Sequence, residues 1–221
     1  MNEEKEWDQY WQTASEKKSI LGDMFTWYRK NVFARAVSFF AEKYFPKKGI
    51  FIECGSGSSQ TSLRLKKYER EFIAIDISDE ALKEAQKIPV ITKTLKADIR
   101  KLPFDNETVD GIWNLGVMEH FSDAEIQLLL KEFKRVLKKD GTMILFWPAT
   151  FGLTTMILRS AEKLIRVFKK EFCFFPDEPS IIRKMSDVKR HISPAGLYSK
   201  ENFSFRDGWG HVVVVVKKHP F

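Results

Sequence analysis

The chain has 221 residues, 43% of them hydrophobic and 19 of them phenylalanine, enough for one domain with a sizeable core and too apolar for a disordered polymer. A formal net charge of +7, from 37 basic and 30 acidic side chains, permits RNA, anionic lipid or acidic small molecules as partners and selects none of them. No run approaches the roughly 18 apolar residues that span a bilayer, and the acidic start MNEEKEW is unlike a secretory leader, so a cytoplasmic location is expected. Cys54 and Cys173 make neither a disulfide framework nor a zinc site, and both are expected to be reduced and structural.

Residues 4–18 place Trp7, Tyr10, Trp11 and Ala14 at helical spacing, a stripe that either packs on the domain or lids a site. Asp23 offers an N-cap to a helix running to about residue 44, with Phe25, Tyr28, Val32, Ala36 and Phe39 or Phe40 on its inner side. Pro46 to Gly49 end it. Residues 50–61, IFIECGSGSSQT, then read as a buried strand, a tight turn and a helix start. Glycines at 55 and 57 admit backbone angles closed to other residues, and a helix start presents unpaired N–H groups, so a cofactor is the natural occupant. The dinucleotide fingerprint fits poorly, because its third glycine position falls on Gln60.

A short helix is expected over 60–68 and a second strand over 71–77, with Asp76 about 20 residues beyond the glycines, where a carboxylate can accept from both hydroxyls of a ribose. Ser78 caps a helix over 79–87, and 90–96 alternates as a strand at a sheet edge does. In Ala97-Asp98-Ile99, the acid suits the exocyclic amine of adenine and the isoleucine its ring; an Asp capping a loop is the simpler alternative. A loop over 102–108, a fourth strand over 109–115, a helix over 124–138 capped by Ser122 or Asp123, and a fifth strand over 142–147 follow. Such strand–helix repeats imply a parallel sheet covered on both faces, with right-handed crossovers bringing the strand ends to one edge.

From 149 to 194 the pattern changes. A basic amphipathic helix is expected over 154–170, Phe172, Phe174 and Phe175 follow, and a second basic helix is expected over 181–191. This segment reads as a cap over a hydrophobic substrate, a membrane-surface helix or a cationic cradle for RNA, in that order. Residues 201–205 and 211–217 form a terminal hairpin, and the unbroken valines 212–216 belong inside a sheet.

Taken together, Glu53-x-Gly55-x-Gly57-x-Ser59, Asp76, Ala97-Asp98-Ile99, Leu102-Pro103-Phe104, Asp110, Met118-Glu119-His120 and the string FKRVLKKDGTMILFWP resemble, over about 49–147, the class I S-adenosylmethionine (SAM) dependent methyltransferases. The likeness is to the small-molecule branch that includes ubiquinone and menaquinone methyltransferases, with Ser59 where glycine is usual and Glu53 where aspartate is usual. The resemblance implies an α/β fold, a Rossmann-like three-layer sandwich whose mostly parallel sheet of seven strands ends in an antiparallel one, with a helical lid insertion. It implies one domain over 1–221: N-terminal helices or lid at 1–45, a SAM-binding core at 49–148, a helical substrate cap at 149–194 and a terminal hairpin at 198–218.

It further implies SAM as cofactor and S-adenosylhomocysteine as product, with Glu53, Gly55 and Gly57 around the methionine part, Asp76 at the ribose, and Ser56 and Ile77 as further cofactor-binding residues. Asp98 and Ile99 would meet the adenine, and Asn114 and Leu115 would lie along the cofactor toward the methyl. His120 is the nearest candidate base, a structural histidine is the other reading of it, and Tyr28, His191 and His211 are further candidates. No metal site is expected. The implied reaction is in-line transfer of a methyl group to a small, hydrophobic acceptor, with peripheral membrane contact through 154–175. An RNA-directed methyltransferase and a SAM-binding regulator without turnover are the alternatives. No Pro-Pro-Tyr follows the fourth strand and no Pro-Cys occurs, which disfavours the common nucleic-acid chemistries.

Overall fold

A computed structural model of the chain describes residues 3–16, 20–151, 179–202 and 211–220, together with Met156, Ser160 and Lys163. Helix α1 spans Glu3–Glu16. Helix α2 (Ile20–Tyr28) passes through one wide π turn, Arg29–Phe33, into α3 (Ala34–Tyr44), so residues 20–44 form one helical run. Asp23 therefore lies inside the first turn and is not the cap. The remaining elements are β1 (Lys48–Cys54), β2 (Glu69–Asp76), α4 (Asp79–Ala85), β3 (Ile91–Lys96), β4 (Val109–Leu115), α5 (Asp123–Val136), β5 (Leu137–Pro148), α6 (Met185–Ile192), β6 (Tyr198–Asn202) and β7 (His211–Lys217).

The seven strands form one sheet in the order β3-β2-β1-β4-β5-β7-β6. Strands β1 to β5 pair in parallel and β7 runs antiparallel to both β5 and β6. The valine run of β7 is buried throughout because its alternate residues enter opposite layers: Val212, Val214 and Val216 pack with α5, Val213 and Val215 with α3. The sheet is thus covered on both faces. On the α5 face lie Ile126, Leu129, Leu130 and Phe133; on the other, Val37, Phe40 and Phe45 meet Phe51, Trp113 and Phe146.

Two polar anchors hold the end of the sheet remote from the site. Asp110, at the start of β4, accepts the N–H of Ile50 at 2.9 Å and pairs with Lys138 at 2.9 Å, and no β-carbon fits at Gly49 beside it. The family-like aspartate is therefore a clamp between strands. Arg70, almost fully buried, donates to the carbonyls of Phe45 and Pro46 and to Glu42, tying β2 to the end of α3.

Three expectations are corrected. The helix over 60–68 is a single 3-10 turn, Gln60–Ser62, because the Thr61 and Ser62 hydroxyls donate to Glu53 instead of facing solvent, and the chain straightens toward Tyr68. The fifth strand begins at Leu137, where α5 has already ended. The second basic helix starts at Met185 and not at 181. The expected helix over 154–170, Phe172, Phe174 and Phe175, Cys173 and the turn over 206–210 lie outside the described residues, apart from Met156, Ser160 and Lys163, which are helical. Among the described residues no helix is long and apolar enough to cross a membrane.

Candidate functional site

The C-terminal ends of β1, β2, β4 and β5 lie along one edge, and His211 joins them because antiparallel pairing sets it opposite Pro148. At that edge β1 breaks into the glycine turn. Gly55 and Gly57 take φ of +67° and +49°, and Ser59 takes +49° as well, so serine here adopts the backbone that glycine would favour. The Gly57 N–H donates to the Asp76 carboxylate at 2.7 Å, and Ser78 N–H donates to its other oxygen at 2.9 Å. One acid thereby fixes the tips of β1 and β2 relative to each other. Burial pushes the Asp76 carboxyl above its ordinary value, against the pull of these N–H groups and that of Ile77.

Glu53 lies beneath the turn, fully enclosed, accepting from Thr61 at 3.1 Å and Ser62 at 2.9 Å. Burial raises it to about 7, opposed by the hydroxyls of Ser59, Ser62 and Thr61 and by the Trp113 indole. Cys54 beside it is buried and its thiol is pushed up, first by burial and then by Glu53, which makes it a packing residue. Ser56 is buried with its N–H on the Ile75 carbonyl.

Asp98 is partly exposed and holds Arg100 through the backbone N–H at 2.8 Å and the guanidinium at 2.9 Å. Partial burial works to raise this carboxyl, but the side chain and backbone of Arg100 outweigh it and hold it below the ordinary value. Ile99 is buried and Ile77 half-buried, an apolar pair beside the two acids. Asn114 is fully buried on β4, and neither its amide nitrogen nor its oxygen has a partner among the described residues. Leu115 next to it is half-buried.

Helix α1 reaches from the glycine turn to the start of α4 and the end of β3. Trp11 packs on Gly57 so closely that a β-carbon there would stand 2.4 Å from its ring. Asp8 accepts the Ser78 hydroxyl at 2.6 Å, which lowers its carboxyl, and Glu4 pairs with Lys96 at 2.7 Å. Trp7 meets the His120 ring edge-on at 5.4 Å, and the Arg29 guanidinium lies 5.8 Å from the Trp11 ring. The π turn that presents Arg29 also directs Phe33 onto Tyr28 at 4.8 Å and onto His211 at 4.9 Å. His120, Tyr28 and His211 are thus on the site edge. His191 is not: it is buried on α6, its ring tilted against Trp147 at 5.0 Å, and burial lowers its pKa against the opposing charge of Asp123.

Sequence spacing did not reveal Asp8, Arg29 or Phe33. Asp8 reads as one more charge on a charged helix because its partner lies far along the chain, and a regular helix would not turn Arg29 and Phe33 toward the site.

The arrangement fits SAM on several independent grounds. Gly55 and Gly57 take backbone angles that favour glycine, Asp76 and Asp98 terminate successive strands, and the buried amide of Asn114 has no hydrogen-bond partner among the described residues.

Comparison with known proteins agrees. Residues 52–145 match the methyltransferase domain family. The malonyl-[acyl-carrier protein] O-methyltransferase of Hamiltonella defensa is 27% identical over 140 residues, 63% of this chain and 49% of its own. The chain thus spans about half the length of that curated relative. A Pyrococcus horikoshii protein of known structure superposes with a TM-score of 0.61 at 21% identity, covering 83% of this chain and 88% of that one. Magnesium protoporphyrin IX methyltransferase from Synechocystis, crystallised with S-adenosylhomocysteine, superposes with a TM-score of 0.60 at 17% identity, covering 95% and 93%. With glycine turn, acid order, strand order and family match in agreement, residues 52–145 carry a methyltransferase domain, set in a sheet of the class I, SAM-dependent methyltransferase type.

Proposed function

We propose that the chain transfers a methyl group from SAM to a small, largely apolar acceptor by direct in-line displacement. The observation that carries the reading is the Gly57–Asp76 bond at the strand tips, with Trp7 and Trp11 roofing the same edge. SAM supplies a methyl group already activated on a sulfonium, so the protein's work is to position the acceptor and keep water away. Asp76 would hold the ribose, Ile77 and Ile99 the two faces of the adenine, and Asp98 its amine. Glu53, Gly55, Ser56, Gly57, Asn114 and Leu115 would hold and align the methionine end.

The acceptor side is built from Tyr28, Phe33, His211 and the Trp7–His120 pair, rings meeting edge to face. Such walls favour an apolar body with one nucleophilic atom. An imidazole nitrogen of His120 would take the proton of a hydroxyl or carbon acid. Two of the similar proteins are named for methyl acceptors of different kinds, a malonyl-[acyl-carrier protein] and magnesium protoporphyrin IX. Helix α1, and with it 1–45, acts as the lid, and 149–194 as the acceptor cap.

Labelled SAM incubated with phenolic, carboxylate and amine acceptors tests this reading. Label should pass to an apolar acceptor and fail with Asp76→Ala; SAM binding without transfer to any class would instead leave a regulator.

A further inference from the structure

The helical run 20–44 has an inner face that lines the site edge and an outer face that none of the described residues covers. On the outer face Trp27 is 61% exposed, Met24 50% and Phe39 49%, large apolar side chains presented singly to solvent. Arg35 and Lys43 stand among them, and Arg64 and Lys66 rise from the neighbouring turn; a groove of about 620 Å³ lies between.

The two ends of this strip form one surface because Arg64 joins them. Asn31 donates to the Trp27 carbonyl at 2.9 Å, Arg64 donates to Asn31 at 3.3 Å and to the Lys30 carbonyl at 3.2 Å, and the Ser38 hydroxyl donates to the Arg64 carbonyl at 2.8 Å. The strip's charge is unbalanced. Glu42 is the acid lining the groove, and its one carboxylate, shared among buried Arg70, the Tyr68 hydroxyl and Lys66 at 3.9 Å, stands against the cations Arg35, Lys43, Arg64 and Lys66. Asp23 opposes the cations at the far end only, one turn before Trp27.

We propose that this outer face of α2–α3 docks on an anionic lipid surface. Exposed Trp, Met and Phe flanked by Arg and Lys match what an interfacial helix needs, rings and thioether at the acyl boundary and cations at the headgroups. A fluid boundary requires no shape complement, whereas a folded partner would require a pocket for Trp27. Single-stranded nucleic acid would stack bases on open ring faces, but Lys43 Nζ lies over both Phe39 at 5.8 Å and Tyr44 at 5.3 Å. The docking stands without the functional reading above. If both hold, the acceptor wall formed by Tyr28 and Phe33 faces the opposite side of the same helix, and an apolar acceptor has a short path from the bilayer to the site.

The experiment is co-sedimentation of the full chain with vesicles of phosphatidylcholine alone and of phosphatidylcholine mixed with phosphatidylglycerol. Binding is expected to the mixed vesicles only and to weaken with salt. Lys43→Gln and Lys66→Gln should each lower it by about fivefold, and Trp27→Ser with Phe39→Ser by more than either, with thermal melting and SAM binding unchanged. Failure of folded, SAM-binding protein to sediment overturns the proposal. So does undiminished binding by the Trp27/Phe39 double variant, which would place contact elsewhere, or retention on RNA or an acidic protein in place of the vesicles.

Discussion

Trp11 rests against Gly57, its ring filling the place where any other residue at 57 would put its β-carbon. The contact joins the first helix of the chain to the turn that would hold the cofactor, and it explains why that glycine is needed twice, once for a φ of +49° and once for the space above it. Gly57→Ala is expected to lower stability by about 1–2 kcal/mol from the left-handed backbone alone and to lift α1 from the site. Limited proteolysis should then release α1 faster than from the parent chain, while a chain with α1 held equally firmly would contradict the account.

Glu53 couples the site to pH. Its folded value of about 7 lies above the ordinary 4.5, so the fold favours the protonated form. This group's contribution is fully present below about pH 4.5 and is lost as pH rises through about 7, a change on the order of 3 kcal/mol. Glu53→Gln keeps one acceptor oxygen for a hydroxyl and offers its amide N–H to the oxygen of the other, without the titration. The stability of the variant relative to the parent should therefore rise across that window, measured by urea unfolding at successive pH values; a constant difference would show that Glu53 does not titrate there. Bound SAM brings positive charge, so its affinity in the parent should increase through neutrality with release of a proton, readable from calorimetry in buffers of different ionisation heat.

Asn114 sets stability against binding. Both halves of its amide are buried without partners among the described residues, so Asn114→Leu, similar in volume, should stabilise the protein without cofactor by roughly 1–3 kcal/mol. The same change should weaken SAM binding. A variant that is destabilised, or that binds as well as the parent, would mean the amide is satisfied within the chain.

Ser59 makes a smaller test of the same turn. Ser59→Gly removes a side chain from a left-handed backbone and should raise stability by about 1 kcal/mol, read as a shift in melting temperature.

How much of this was legible in the sequence depends on the range of the interactions involved. Strand ends were readable because each is marked locally, by glycine after Glu53, by Asp76 before Ser78, by Asp98 after the alternating edge strand. The antiparallel place of β7 was carried by resemblance and by its unbroken valines. What was not legible involves partners distant in sequence. Asp8 acquires its role from Ser78, Asp110 from Ile50 and Lys138, and Trp11 from Gly57. The helix expected over 60–68 failed for the same reason, since the buried Glu53 draws in the hydroxyls that a helix would have turned outward.

The central claim is that the edge built on Gly57 and Asp76 holds SAM. Isothermal titration of the purified chain with SAM and S-adenosylhomocysteine, beside Asp76→Ala and Asp98→Ala, tests it most directly. Micromolar binding by the parent, reduced at least about tenfold (1.4 kcal/mol) in each variant, is the predicted result. A folded parent that binds neither ligand, or variants that bind as the parent does, would contradict it.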